Sequence, residues 1–298
     1  MGESLTARRV GLVRKIYEVN GLSIRKYPIF IGAATFIPAA AVFAVRLRWQ
    51  VRGFENIENN ATLVPKRGGT EAWLLLAIIL AFAAIAVGCA VYAELRLRAP
   101  GGYAGNFRPL GGASSAVAVV CGCAIAAAGL AELLGTAQPL SLGLLTFAGG
   151  AAIAVSPLFR RNPTSILFLV LSTVPELFFV FWLVLTFRTN QTNPYIIAYA
   201  PKAVALAAST GAFYFIAGNV YGRSRRLFTT LSMMLAVFAC AATLADGLAD
   251  DLFPVTELVV FMMTAVYLAF NLIKFSANLR EKPPEEPLIP NGAANETD

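Results

Sequence analysis

The sequence predicts an all-α protein, a polytopic transmembrane helical bundle with about eight membrane-spanning helices. Of its 298 residues, 57% are hydrophobic and 14% are charged, and the mean hydropathy is +0.67. A soluble domain of this length carries about a quarter charged residues. The apolar residues also form uninterrupted blocks of about twenty, the length that crosses the hydrocarbon core as a helix. The sequence shows none of the short alternating strands that a membrane barrel needs.

Eight apolar blocks account for the predicted helices in chain order. They cover residues 28–45, 71–93, 113–134, 140–159, 165–187, 195–218, 227–248 and 253–273. The first and the fourth are the shortest. Short turns separate most of the blocks, and two longer loops, 46–70 and 94–112, separate the others. We therefore predict one bundle over residues 28–273, with no segment long enough to form a soluble catalytic domain.

Two tails flank the predicted bundle. Residues 1–27 mix basic and apolar side chains, which is typical of an amphipathic helix in the cytoplasmic headgroup region or of a solvated basic tail. Residues 274–298 are rich in proline and glutamate, and we expect them to form a disordered cytoplasmic tail. Within the loop 94–112, the glycine-rich stretch APGGYAGNFRPLGG is expected to be flexible.

The basic residues indicate how the bundle lies in the membrane. With the N-terminus in the cytoplasm, seventeen of the 24 lysines and arginines fall on the inner side and seven on the outer side, in agreement with the positive-inside rule. The loop 46–70 is the exception, because it has five of the seven, and it leaves open whether block 28–45 crosses fully. The net charge of +7 thus follows membrane topology and does not indicate nucleic-acid binding. We expect a bacterial cytoplasmic membrane protein with both termini in the cytoplasm.

Missing residue types exclude several kinds of chemistry. The chain has no histidine, which excludes histidine-ligated haem, Ser-His and Cys-His nucleophile pairs and HExxH zinc sites. The four cysteines lie in predicted spans without the spacing of a zinc site. They are Cys89, Cys121, Cys123 and Cys240. We expect no cofactor and no metal, and a non-enzymatic protein is favoured over an enzyme.

The stretch LADGLADDLFPVTEL concentrates acidic residues between two apolar blocks. Its carboxylates are Asp246, Asp250, Asp251 and Glu257. Carboxylates three or four residues apart on a helix can hold Mg²⁺ against a diphosphate, the arrangement that a lipid-modifying enzyme would use. However, Gly247 is suited to ending one helix and Pro254 to beginning the next. We therefore interpret the stretch as an outer turn which, with Glu132, forms an acidic rim.

Two ionisable residues lie inside predicted spans rather than at their ends. Glu176 is near the middle of block 165–187, Lys202 lies within the sixth block, and each directly follows a proline, Pro175 or Pro201. A proline inside a helix removes one backbone hydrogen bond, and charges beside interrupted helices are typical of transporter sites. Helices five and six are antiparallel neighbours, so we predict that Glu176 and Lys202 approach each other as an inner site.

These observations favour the movement of a small solute or ion through the bundle, with Glu176 and Lys202 on the pathway. The alternative is a non-catalytic membrane subunit or sensor that packs against a partner protein or a second copy of the chain. Small residues four positions apart, such as Gly122 and Ala126, support close helix contacts of that kind. A membrane-embedded lipid-modifying enzyme that uses the aspartate-rich turn is the third hypothesis.

Overall fold

The computed structural model describes residues 26–49, 54–56, 63–65, 70–108, 112–135, 139–159, 165–191, 196–250 and 253–281. Within these ranges, eight helices are long and apolar enough to cross a membrane. The predicted all-α transmembrane bundle is therefore confirmed, as is the number of spans. Most of the two predicted tails lies outside the described residues, although the last helix extends to Asn278, into the segment predicted to be disordered.

The helices follow one another closely along the chain. Their bounds are α1 Lys26–Trp49, α2 Thr70–Arg96, α3 Gly102–Asn106, α4 Ala113–Leu134, α5 Leu140–Val155, α6 Ile166–Asn190, α7 Ile196–Val220, α8 Arg226–Asp250 and α9 Val255–Asn278. A 3₁₀ turn, Ser156–Phe159, extends α5. Two short antiparallel pairs join β1 Phe54–Asn56 to β2 Leu63–Pro65 and β3 Leu97–Arg98 to β4 Arg280–Glu281.

The length of the first helix bears on the question raised by the basic loop. α1 contains 24 residues, and at a rise of about 1.5 Å per residue it is about 36 Å long. That length exceeds the hydrocarbon core of about 30 Å. Block 28–45 is therefore long enough to cross, because the helix also includes the polar residues on either side of the apolar block.

Six helices form a closed circuit. Each helix from α4 to α9 packs against the next, and α9 packs back against α4. α2 packs against α8 from outside this six-helix ring. α1 lies beside α2, where the Tyr27 hydroxyl donates to the Cys89 carbonyl oxygen at 3.1 Å. The ring therefore has an axis of its own, and α1 and α2 are peripheral to it.

The two ends of the bundle carry different charges. We call the end at which α1, α4, α6 and α8 finish the acidic end, because it contains Glu132, Asp246 and Glu257. The opposite, basic end contains Arg223 and Arg225 and the paired strands β3 and β4. Because the number of spans is even, the described chain enters and leaves the bundle at the basic end.

Aromatic side chains fill the middle of the ring. They are Phe178, Phe179 and Trp182 of α6, Phe213 of α7, and Phe261 and Tyr267 of α9, and all are buried. The ring centroids of Trp182 and Phe261 are 5.0 Å apart, and those of Phe213 and Tyr267 are 5.8 Å apart. Since α9 follows neither α6 nor α7 in the circuit, these contacts span the centre. The aromatic column therefore closes the axis of the ring.

The described residues 99–108 of the glycine-rich stretch are folded against the bundle, whereas the sequence predicts a flexible segment. Tyr103 and Phe107, in and just after α3, are buried, and their rings pack against Phe168 and Phe275 respectively. The side-chain amide of Asn106 donates to Asn219 Oδ1 at 2.7 Å. For residues 99–108 the prediction is wrong, because burial of two aromatic rings offsets the conformational entropy lost by the glycines. α3 thereby covers the basic end of the ring.

Candidate functional site

Charged side chains from three helices converge at the acidic end of the ring axis. Lys202 Nζ of α7 lies 2.6 Å from Glu257 Oε2 of α9, and only 14% and 2% of the two side chains are exposed. Glu132 of α4 is also buried and interacts electrostatically with both residues. We call these three residues the charge cluster. With all three ionised, it has two negative charges and one positive charge.

Among the residues that the structure describes, one oxygen of the cluster has no hydrogen-bond partner. The Glu132 carboxyl lies within hydrogen-bonding reach of the Thr256 and Thr146 hydroxyls. Thr146 donates its single proton to the Leu142 carbonyl oxygen at 2.8 Å, so Thr256 is the available donor. Glu132 Oε2 has no partner, although the residue is 8% exposed. A buried polar atom without a partner destabilises the fold, so this oxygen is a candidate ligand-binding atom.

Aromatic rings form two walls around the Lys202 ammonium. Its Nζ lies 5.4 Å from the ring centroid of Trp182 and 5.0 Å from that of Phe253. A cation at this distance from a ring face is attracted by the electron-rich π system. The ammonium is thus held by one carboxylate and two rings, a combination that stabilises a positive charge away from bulk water.

Local sequence explains why these side chains reach the axis. Pro254 directly precedes α9, and the Glu257 N–H donates to its carbonyl oxygen at 3.0 Å. This geometry places Glu257 in the first helical turn, where the positive end of the helix dipole stabilises a carboxylate. Lys202 lies in the second turn of α7, and its long flexible stem lets the ammonium reach across the axis to α9.

A second buried ion pair joins the peripheral helix α1 to the ring. Arg46 Nε and Nη2 donate to Asp246 Oδ1 and Oδ2 at 2.5 and 3.2 Å, and the two side chains are 6% and 2% exposed. The Arg46 guanidinium also lies 4.7 Å from the Trp49 ring centroid. Arg48 pairs more loosely with Glu71, at 3.7 Å. Two of the basic residues that depart from the positive-inside rule are therefore paired with carboxylates.

Three of the carboxylates predicted to form the outer acidic rim are not on the surface of the protein. Glu132, Asp246 and Glu257 are buried, because each carboxylate turns towards a neighbouring helix that supplies a cation or a hydroxyl. The Asp250 side chain and the whole of Asp251 lie outside the described part of the chain. Over the described ranges, no three His, Cys, Asp or Glu residues are grouped closely enough to hold a metal ion.

The predicted approach of Glu176 to Lys202 is wrong. α6 continues past Phe187 to Asn190, which places Glu176 about 21 Å below the end of that helix. α7 begins at Ile196, so Lys202 lies only about 9 Å below its start. The resulting difference in height, about 12 Å, is too large for a contact, and Lys202 pairs with Glu257 across the axis instead.

Glu176 lies in a different pocket, nearer the basic end. This pocket has a volume of about 560 Å³. It is lined by Tyr214 of α7, by Tyr221 directly after that helix, and by Arg223 and Arg225 of the following turn. Glu176 is half-buried there, while the two tyrosines and two arginines are exposed. The pocket therefore opens at the side of the ring between α6 and α7, away from the charge cluster.

The two prolines do not interrupt their helices. α6 continues through Pro175 and α7 through Pro201 as single helices. Pro175 still deprives the Leu171 carbonyl of its usual helical donor, and both residues line a cavity of about 20 Å³. A cavity of that size has room for a single water molecule. At each proline, the expected interruption of the helix is thus the local loss of one hydrogen bond within a continuous helix.

Sequence reasoning missed Arg46, Trp182 and Thr256 as parts of the two charged sites. For Arg46 a signal existed, since it follows an apolar block directly and its charge needs a partner if the helix continues beyond it. No comparable signal marks Trp182 or Thr256, because both are ordinary members of apolar spans.

No protein-family model, curated protein or solved structure matches this chain.

Proposed function

We propose that the protein moves a small cation across the membrane along the axis of the six-helix ring. The observation that carries this proposal is the unpartnered Glu132 Oε2, buried beside Lys202 and Glu257 at one end of that axis. Among the described residues, and with both carboxylates ionised, two carboxylates that share one ammonium have one negative charge more than they have positive charge. A buried ionisable group at membrane depth is costly, and such groups are typical of ion pathways. A cation that reaches Glu132 would balance this charge.

The aromatic column describes a closed state of the proposed pathway. Trp182 and Phe261 stack directly beyond the charge cluster, and α3 covers the other end of the axis. A cation can therefore pass only if helices of the ring move relative to one another, as in transporters that open alternately to the two sides. Glu176 lies at the side of the ring, and its place on the pathway stays a prediction.

We further propose that the acidic end faces the outside of a bacterial cytoplasmic membrane, with both tails in the cytoplasm, as the positive-inside rule predicts. In a Cys123→Ser background, a membrane-impermeant maleimide added to intact cells should label Gln191→Cys at the acidic end. It should label Arg223→Cys at the basic end only after the cells are opened. The reverse pattern would invert the proposed orientation.

A flux measurement tests the proposed activity. Purified protein in liposomes should pass Na⁺, K⁺, H⁺ or methylammonium under an imposed membrane potential, detected with a reporter specific for each cation. Glu132→Gln should lower the flux at least tenfold, which corresponds to about 1.4 kcal/mol of lost interaction with the passing cation. This substitution keeps the size of the side chain and removes its charge.

The matched control is Glu71→Gln, since Glu71 lies at the same end of the bundle but pairs loosely with Arg48, outside the ring. It should retain the wild-type flux. If folded wild-type protein passes none of the four cations faster than protein-free liposomes do, the proposal fails. The alternative of a membrane subunit or sensor is then favoured, and its support is the largely exposed helix α2, which buries only five of its residues.

A further inference from the structure

The surroundings of Lys202 have the composition of a binding site for a small ammonium ion. Its Nζ touches Glu257 Oε2 at 2.6 Å and lies against the faces of Trp182 and Phe253. Proteins recognise ammonium ligands with aromatic rings arranged in this way. Here the ammonium that occupies the site belongs to the chain itself and is attached by a flexible stem of four methylene groups.

A second acceptor for this ammonium is already present. Glu132 interacts electrostatically with both Lys202 and Glu257, and its Oε2 is buried without a partner. Besides Lys202 and Glu257, the described groups that face Glu132 from neighbouring elements are the uncharged hydroxyls of Thr146 of α5 and Thr256 of α9. The ammonium of Lys202 therefore has two carboxylates available and neutralises one of them at a time.

We infer that Lys202 is a displaceable internal cation. When its ammonium moves to Glu132 Oε2, a small external ammonium ion takes its place between Glu257, Trp182 and Phe253. The inference rests on the proposed cation transport and specifies its substrate class as a small monovalent cation of the ammonium type. The site takes one external cation, because the two carboxylates then balance two positive charges.

Methylammonium is a suitable probe, and Lys202→Met is the first variant. Methionine fills most of the space of the lysine stem but leaves the position of the ammonium open. Methylammonium chloride should raise the thermal stability of this variant in detergent in a saturable manner, because a ligand that binds only the folded state stabilises it. Tetramethylammonium chloride at equal concentration should raise it less, since it keeps the attraction to the rings but has no N–H to donate to Glu257. Lys202→Met/Glu257→Gln should lose the effect.

The wild type should bind methylammonium at least tenfold more weakly than Lys202→Met, because the tethered ammonium competes for the same site. Glu132→Gln should weaken binding further in the wild type, where the displaced lysine needs that carboxylate. The same substitution should have at least a threefold smaller effect in the Lys202→Met background. Effects that do not add in this way would show that Glu132 acts by accepting the displaced lysine. A general loss of negative charge would instead weaken binding equally in both backgrounds.

Two results would overturn the inference. One is a folded Lys202→Met protein that shows no saturable effect of methylammonium, and the other is an equal effect of Glu132→Gln with and without Lys202. If Lys202→Met does not fold, equal methylammonium affinity of the wild type and Glu132→Gln overturns it as well. Saturable methylammonium binding without cation flux would reject the proposed transport and support the binding site. Cation flux without methylammonium binding would support the transport and reject the binding site.

Discussion

Replacing Arg46 with methionine is expected to destabilise the protein by about 3–5 kcal/mol, the usual cost of removing one partner of a buried ion pair. The guanidinium makes two hydrogen bonds to Asp246, and its loss leaves that carboxylate buried between α1 and α8. Asp246→Asn is expected to have a similar effect, because it leaves the arginine charge uncompensated. The measurement is the unfolding temperature of purified protein in detergent.

The double variant Arg46→Met/Asp246→Asn should be more stable than either single variant, because no unpaired charge remains. Arg48→Met is the matched control on the same helix, since its contact with Glu71 is longer and 63% of the arginine side chain is exposed. It should change stability by less than about 1 kcal/mol. Losses that simply add in the double variant would show that the two charges do not form a pair.

Replacing Gly150 or Gly122 with alanine is expected to separate α4 from α5. A Cβ atom at Gly150 would lie 2.3 Å from the Ala126 backbone nitrogen, and one at Gly122 would lie 2.3 Å from that of Ala154. These neighbours are backbone atoms and cannot move aside without a shift of the whole helix. Overpacking of this kind costs about 1–3 kcal/mol or more, so we expect each variant to be about that much less stable, with a lower yield of folded protein.

Gly88→Ala serves as the control for this experiment. Gly88 lies within α2, and a Cβ atom there would have no heavy atom within 4 Å. The substitution should therefore leave the unfolding temperature unchanged or slightly raised, since alanine favours the helix more than glycine. Equal losses at Gly88 and Gly150 would mean that the close approach of α4 to α5 is not what makes the glycines necessary.

The membrane class and the helices were predictable from the sequence because they depend on local composition. A block such as 71–93 must be helical in a bilayer, since lipid offers its backbone no hydrogen-bond partners. The helix termini shifted by a few residues only, as for α6, which ends at Asn190 instead of residue 187. Together with the start of α7 at Ile196 instead of residue 195, that shift was nevertheless enough to separate Glu176 from Lys202, because each residue adds about 1.5 Å along the axis.

The candidate site could be predicted only in part. Lys202, Glu132 and Glu257 stood out because charges are rare in apolar surroundings, but the sequence assigned them to two different places. It also paired Lys202 with a residue of the adjacent helix in the chain. Nearness in sequence was the only available guide to nearness in space, and it favoured α6 over α9.

The sequence by itself determined that this chain crosses a membrane as a bundle of helices, since the hydrophobic effect and backbone hydrogen bonding act on each segment separately. Only the tertiary structure decided which charges meet. The closed circuit from α4 to α9 places Glu257 opposite Lys202 across the axis, and α1 packs so that Arg46 reaches Asp246. These pairings depend on the rotation and height of whole helices, which are set by close packing of many side chains at once.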